Sequence, residues 1–116
     1  MGNIMQAKKM WIAGEWCDSE DGATADVIDP SNGDLIATTP KATLGDVERC
    51  VQASKSAFND SSWRKMDPAQ RGRIMQKIAA VTYAEAKNLA KIESQNNGKT
   101  FREALSEIRY GAWTFE

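Results

Sequence analysis

Trp11-Ile12-Ala13-Gly14-Glu15-Trp16 and, after a short gap, Asp26-Val27-Ile28-Asp29-Pro30-Ser31-Asn32-Gly33-Asp34-Leu35-Ile36 decide how the chain is read. Both stretches mix apolar and polar residues at strand-like spacing and are broken by turn formers. Strands are expected over Met10 to Trp16, Ala25 to Ile28 and Asp34 to Thr39. The breaks are Asp18-Ser19-Glu20-Asp21-Gly22 and Asp29-Pro30-Ser31-Asn32-Gly33, where Gly22 and Gly33 can take positive φ and Pro30 presets its turn. Residues 1–40 therefore read as a small antiparallel ribbon, a form that is marginal in water unless it lies on something larger. On one continuous strand Trp11 and Trp16, five positions apart, would face opposite sides.

From Thr43 the period becomes helical. Leu44, Val47, Val51, Ser54 and Phe58 share one face, Asp46, Glu48, Arg49, Gln52 and Lys55 lie mostly elsewhere, and Thr43 is a good N-cap. Asp67-Pro68-Ala69-Gln70 opens a second helix: Asp67 caps, Pro68 suits the first helical position, and Gln70 can reach back as a variant capping box. Its apolar stripe runs through Met75, Ile78, Ala79, Thr82, Ala86, Leu89 and Ile92 to a left-handed stop at Asn96-Asn97-Gly98. Thr100-Phe101-Arg102-Glu103 is a full capping box for a third helix, with Phe101, Leu105, Ile108, Ala112 and Phe115 on one face. That pattern is still running at Glu116, from which the polypeptide is expected to continue.

The fold class expected is α/β with α+β content in this segment: a ribbon at 1–40 and three amphipathic helices over 43–116, forming one incomplete domain. Each element has one apolar face, yet no large sheet is encoded for the helices to cover.

At 116 residues with 41% hydrophobic and 27% charged residues, the composition is that of a globular domain. The formal charge is −1 and no basic face forms, which excludes a nucleic-acid footprint. The longest apolar run, around Ile78 to Val81, is far below the roughly 20 residues of a membrane-spanning helix. Met1-Gly2-Asn3-Ile4-Met5-Gln6 lacks a secretory apolar stretch, and Gln6 does not fit a myristoylation motif. A cytoplasmic protein without membrane or nucleic-acid partners is expected. Asn59-Asp60-Ser61 is then an unused glycosylation sequon.

Chemistry-bearing residues are few. Cys17 and Cys50 read as two free thiols, and histidine is absent. Gly98-Lys99-Thr100 imitates the end of a phosphate-binding loop, but such a loop needs glycine where Glu93 stands and follows a strand instead of a helix. A helix stop and the next helix cap explain the same letters. There is no Gly-x-Gly-x-x-Gly fingerprint, so no catalytic and no cofactor-binding residue is assigned. Four tryptophans, Trp11, Trp16, Trp63 and Trp113, suggest a core or an interface.

Five pieces in order resemble the amino-terminal part of the NAD(P)-dependent aldehyde dehydrogenases. They are Trp11 to Trp16; Val27-Ile28-Asp29-Pro30-Ser31-Asn32-Gly33; a helix from Asp46-Val47 to Ala57-Phe58; Trp63 ahead of a helix containing Arg71; and Gly98-Lys99 with Glu103-Ala104. The family usually has Pro after Gly-Lys, where this chain has Thr100.

The resemblance implies a fold with a Rossmann-type cofactor domain that is largely missing here. It implies oxidation of an aldehyde to a carboxylic acid with NAD or NADP. A cysteine attacks the aldehyde, the thiohemiacetal gives hydride to the nicotinamide, and a glutamate activates water. Those residues match positions beyond 116, so the segment alone is expected to be inactive and Cys17 and Cys50 do not take the cysteine's role. The full-length enzyme is expected to be a homo-dimer or homo-tetramer. Several members hold a structural Na+ or K+ through carbonyls and an acidic helix residue that match Val27, Ile28 and Glu107, an incomplete site in this chain. The alternative expectation is a non-catalytic, stand-alone helical interaction or assembly module derived from such an enzyme, with exposed apolar stripes as its binding surface.

Overall fold

The computed structural model describes residues 6–60 and 62–116. The reading of residues 1–5 as lacking an export signal, and Ser61 of the sequon, lie outside the described residues. The chain divides into two compact units, residues 1–28 with 33–64, and residues 29–32 with 65–116.

Among the described residues the first unit holds five short strands: β1 (Gln6–Ala7), β2 (Met10–Ile12), β3 (Glu15–Cys17), β4 (Thr24–Ile28) and β5 (Leu35–Pro40). They make two sheets. β2 and β3 form a hairpin, and β5 lies between β4, antiparallel, and β1, parallel. The ribbon expected over 1–40 is present, but Met10 to Trp16 is not one strand. Ala13 at φ 55° and Gly14 at φ 87° make a two-residue turn with positive φ at both positions, the conformation that matches the twist of a tight hairpin. Trp11 therefore faces Trp16 across the strands instead of pointing the opposite way. Their rings meet edge to face, centroids 4.7 Å apart with an interplanar angle of 61°.

Helix α1 (Leu44–Asp60) follows, and the short α2 (Ser62–Lys65) comes after it. Thr43 caps α1 as expected: its Oγ1 accepts from the Asp46 N–H at 3.1 Å, and its carbonyl accepts from the Val47 N–H at 3.1 Å. The expected apolar face exists but is not buried. Leu44 is 89% and Phe58 73% exposed, with Val47 and Val51 also open.

The second unit is helical: α3 (Pro68–Ala84), α4 (Ala86–Asn97) and α5 (Phe101–Trp113). The single long second helix expected from Asp67 onward is broken at Glu85, whose φ of −90° and ψ of 2° leave the helical region. Helical hydrogen bonds continue on both sides, from Glu85 N–H to Val81 and from Leu89 N–H to Glu85, so the break is a kink and not a loop. The caps are as read. Asp67 and Gln70 form a reciprocal capping box with Pro68 at the first position, and Thr100 and Glu103 form another. Gly98, at φ 79°, is the left-handed stop of α4. Helix α5 ends at Trp113, where the Thr114 hydroxyl donates to the Gly111 carbonyl at 2.6 Å. Thr114 keeps a helical backbone, its N–H donating to the Tyr110 carbonyl at 3.1 Å, and the Phe115 and Glu116 N–H groups donate to the Ala112 and Trp113 carbonyls at 3.0 and 3.1 Å.

The cores are made of small side chains. Ala79, Ala86, Ala90, Ala104 and Ala112 are buried in the second unit, where α4 and α3 both pack on α5. In the first unit only Ala37, Ser19 and Asp46 are buried among the described residues. No helix among the described residues is long and apolar enough to cross a membrane.

Candidate functional site

Polar and charged groups gather at three places. The first is Asp46, 1% exposed in the first turn of α1. Its Oδ2 accepts the Thr43 N–H at 2.9 Å and the Glu20 N–H at 3.2 Å, and its Oδ1 accepts from the Arg49 guanidinium. One carboxylate therefore closes the capping box of α1 and ties the β3–β4 loop to it. Gly45 leaves room for the Glu20 carboxylate against that first turn. The Thr43 N–H first, and the Arg49 guanidinium next, hold the Asp46 carboxyl well below the usual carboxylate range, against the opposing effect of burial.

Sequence periodicity placed Asp46 off the apolar face and gave it no role. The Thr43-x-x-Asp46 spacing could have indicated the cap. The bond from Glu20, 26 positions away, could not be seen in the chain.

The second place is the turn Asp29-Pro30-Ser31-Asn32. Asp29 is 8% exposed, and its Oδ1 accepts from the Ser31 N–H at 2.9 Å and the Ser31 hydroxyl at 2.6 Å. These two donors lower its pKa, the hydroxyl contributing more. Pro30 lies against the α4 stop: a Cβ added to Gly98 would stand 2.9 Å from Pro30 Cγ.

The third place is the α4–α5 corner. The Lys99 N–H donates to Asn97 Oδ1 at 3.0 Å, and the Lys99 carbonyl accepts the Ser94 hydroxyl at 2.7 Å. With the backbone fixed, Lys99 Nζ reaches Glu107 on α5 and, at 3.5 Å, Glu93 on α4. The Glu107 carboxylate leads the effects that raise the Lys99 pKa.

The sequence-derived cation residues fall as follows. Val27 and Ile28 end β4, opposite Ala37 and Leu35, with a register irregularity between them. Glu107 belongs to the other unit, on the exposed side of α5. Its charge is already met by Lys99, a partner that the resemblance did not bring out. No group of three or more His, Cys, Asp or Glu side chains that could hold a metal occurs among the described residues.

Both cysteines are free thiols, Cys17 half-buried and Cys50 exposed. Cys50 lines an open apolar groove of about 390 Å³ beside Met10, Trp11, Ile12, Val47 and Val51. No general base faces the thiol from this lining: Asp46, its one titratable neighbour, has its oxygens engaged by Thr43, Glu20 and Arg49.

A dinucleotide site needs a parallel βαβ unit, and among the described residues parallel pairing is confined to β1 with β5. What the geometry builds is a scaffold with capped helices, tight corners and broad apolar faces.

The aldehyde dehydrogenase family model matches residues 16–116. A (Z)-2-((N-methylformamido)methylene)-5-hydroxybutyrolactone dehydrogenase of Acinetobacter baylyi is 38% identical over 109 residues, covering 93% of this chain and 22% of the relative. A crystal structure of the NAD-dependent aldehyde dehydrogenase from Sinorhizobium meliloti superposes with a TM-score of 0.92 at 33% identity, covering 97% of this chain and 23% of that one. A betaine aldehyde dehydrogenase point mutant from Staphylococcus aureus, in complex with NAD+, superposes with a TM-score of 0.84 at 29% identity, over 91% of this chain and 23% of its own. The chain thus spans under a quarter of the length of these relatives. The α/β arrangement of short ribbons and helices is that of their corresponding segment, and the chain belongs to the aldehyde dehydrogenase family.

Proposed function

We propose that these residues serve as the amino-terminal segment of an oxidoreductase that converts an aldehyde to a carboxylic acid with NAD+ or NADP+. The observation that carries this reading is the match of 97% of the chain to 23% of an NAD-dependent aldehyde dehydrogenase. In the proposal residues 1–116 are one incomplete domain, inactive alone, whose ribbon and helices brace the cofactor-binding part of a cytoplasmic homo-dimer or homo-tetramer. The bound nicotinamide supplies the hydride acceptor. The cysteine that forms the thiohemiacetal is not Cys17 or Cys50.

The surface supports a bracing role. Leu44, Val47, Val51 and Phe58 on α1, Val81 on α3 and Ile92 on α4 are all more than half exposed, more apolar helix surface than a finished globular domain usually leaves in water. The stand-alone interaction module would use the same surface, and one experiment separates the two. The 116-residue chain and the complete product of its gene are assayed for aldehyde-dependent formation of NADH or NADPH. Turnover by the complete product and none by the chain is the expected result. Turnover by the chain alone would overturn the assignment of chemistry to other residues, and a complete product of 116 residues would leave only the interaction module.

A further inference from the structure

We infer that Asn32-Gly33 is a site of spontaneous deamidation, at which Asn32 becomes aspartate and isoaspartate through a cyclic imide, while the same dipeptide at Asn97-Gly98 is shielded by its hydrogen bonds. The inference stands apart from the enzyme reading. It concerns a modification of the turn between β4 and β5.

The chemistry needs a side-chain acyl group followed by a backbone nitrogen that can reach it. Glycine in the second position leaves that nitrogen unhindered, because it has no Cβ. The sequence holds three such pairs, Asp21-Gly22, Asn32-Gly33 and Asn97-Gly98. All three glycines have positive φ, 71°, 81° and 79°, so backbone conformation does not tell them apart. Their hydrogen bonds do.

At Asn97 both ends of the amide are held: Nδ2 donates to Glu93 Oε1 at 2.6 Å, and Oδ1 accepts the Lys99 N–H at 3.0 Å. The Gly98 N–H, whose proton must be lost, donates to the Ser94 carbonyl at 3.0 Å. At Asp21 the carboxylate accepts from the Ser19 hydroxyl and the Ala23 N–H, and the Gly22 N–H donates to the Ser19 carbonyl at 3.0 Å. A nitrogen held in this way reacts only after local opening. Gly33 differs. Among the described residues no hydrogen bond engages its N–H, nothing stands within 4 Å of the place a Cβ would take, and Asn32 is exposed.

In the reaction solvent base removes the Gly33 N–H proton, the nitrogen bonds to Asn32 Cγ, the bond from Cγ to Nδ2 breaks, and ammonia leaves. Water then opens the five-membered imide. Opening at the main-chain carbonyl gives isoaspartate, and opening at the side-chain carbonyl gives aspartate. Either product adds a carboxylate to a turn that already carries Asp29 and Asp34. Isoaspartate also carries the main chain through the side-chain carbon, lengthening the connection between β4 and β5.

The test incubates the complete product of the gene at mildly alkaline pH, folded and in urea, and follows the two asparagines by peptide mass spectrometry. Trypsin separates them, Asn32 in residues 10–41 and Asn97 in residues 92–99. In the folded protein Asn32 should exchange its amide for a carboxyl, with isoaspartate captured by a protein isoaspartate methyltransferase, while Asn97 lags. In urea the two should react at similar rates. An unchanged Asn32, equal rates in the folded protein, or Asn97 ahead would overturn the inference. So would an Asn97 that stays slow in urea, since its protection would then lie in the sequence and not in the fold. Asn32→Gln, which cannot close a five-membered ring, should abolish methyl transfer to residues 10–41. Transfer that persists would put the reactive pair at Asp21-Gly22 and overturn the choice of Asn32.

Discussion

The two units solve the same problem differently. In the first, short strands and mainly one long helix, α1, leave few side chains buried, and the most enclosed is a charged one, Asp46, whose oxygens accept from Thr43, Glu20 and Arg49. In the second, helices meet through alanines, with Ala90, Ala104 and Ala112 each fully enclosed. A region that cannot bury much apolar area can be organised by one satisfied carboxylate, whereas a helical region with small contact residues is organised by shape. Directional bonds tolerate changes in volume but not loss of charge or acceptors. Close packing is sensitive in the opposite sense.

The largest expected effect follows from that sensitivity. Ala104→Leu places three extra carbons where α5 meets its neighbours, and overpacking of this kind costs about 1–3 kcal/mol. Hydrogen exchange followed by mass spectrometry should show faster exchange across α3, α4 and α5. A leucine accommodated without change would mean that the alanine contact is loose. Next is Gly98→Ala, which forces an L side chain to φ 79° and into Pro30. The conformation alone costs roughly 1–2 kcal/mol, and thermal unfolding should show the loss. Gly33→Ala, also at positive φ but with open space around its Cβ, should lose less; equal losses would remove Pro30 from the explanation.

The first unit should fail through charge. Because folding lowers the Asp46 pKa, the unfolded chain binds the proton more tightly at acid pH, and stability rises with pH across that interval. The contribution is complete above the unfolded value of about 3.9 and is lost as pH falls toward the folded one. Asp46→Asn keeps the shape and removes the charge. It should unfold more readily at neutral pH, and the difference from the unsubstituted chain should shrink below about pH 4. A difference constant with pH would show that shape, and not the carboxylate, holds α1 to Glu20. Asp29, in the other unit, also has a lowered pKa, so Asp29→Asn is the matched control for the general acid response.

Much of this was legible in the chain because it is local. The caps at Thr43, Asp67 and Thr100 and the stop at Gly98 depend on residues within four positions of one another. Family membership was legible for a related reason: five short patterns keep their order and spacing whatever packs on them. The kink at Glu85 was not legible, since neither Gly nor Pro marks it and the apolar stripe runs straight through. Nor was the parallel pairing of β1 with β5, which joins residues about thirty positions apart in a two-residue strand. At the candidate site the resemblance pointed to Glu107, but its partnership with Lys99 depends on how the corner folds back, which periodicity does not encode.

The smallest effect is expected at the hairpin, where sequence reading and structure differ most sharply. As residues of one strand, Trp11 and Trp16 would be independent; as cross-strand partners they form an edge-to-face pair although each is more than half exposed. Such a pair adds about 0.5–1.5 kcal/mol beyond the area it covers, and exposure argues for the low end. Trp11→Ala and Trp16→Ala should therefore each cost a fraction of the Ala104→Leu loss, and the two together should cost less than their sum. The near-ultraviolet circular dichroism band from the coupled indoles should vanish in either single variant. A band that survives Trp16→Ala would come from Trp63 or Trp113 and would return Trp11 to the isolated position that a single strand implies.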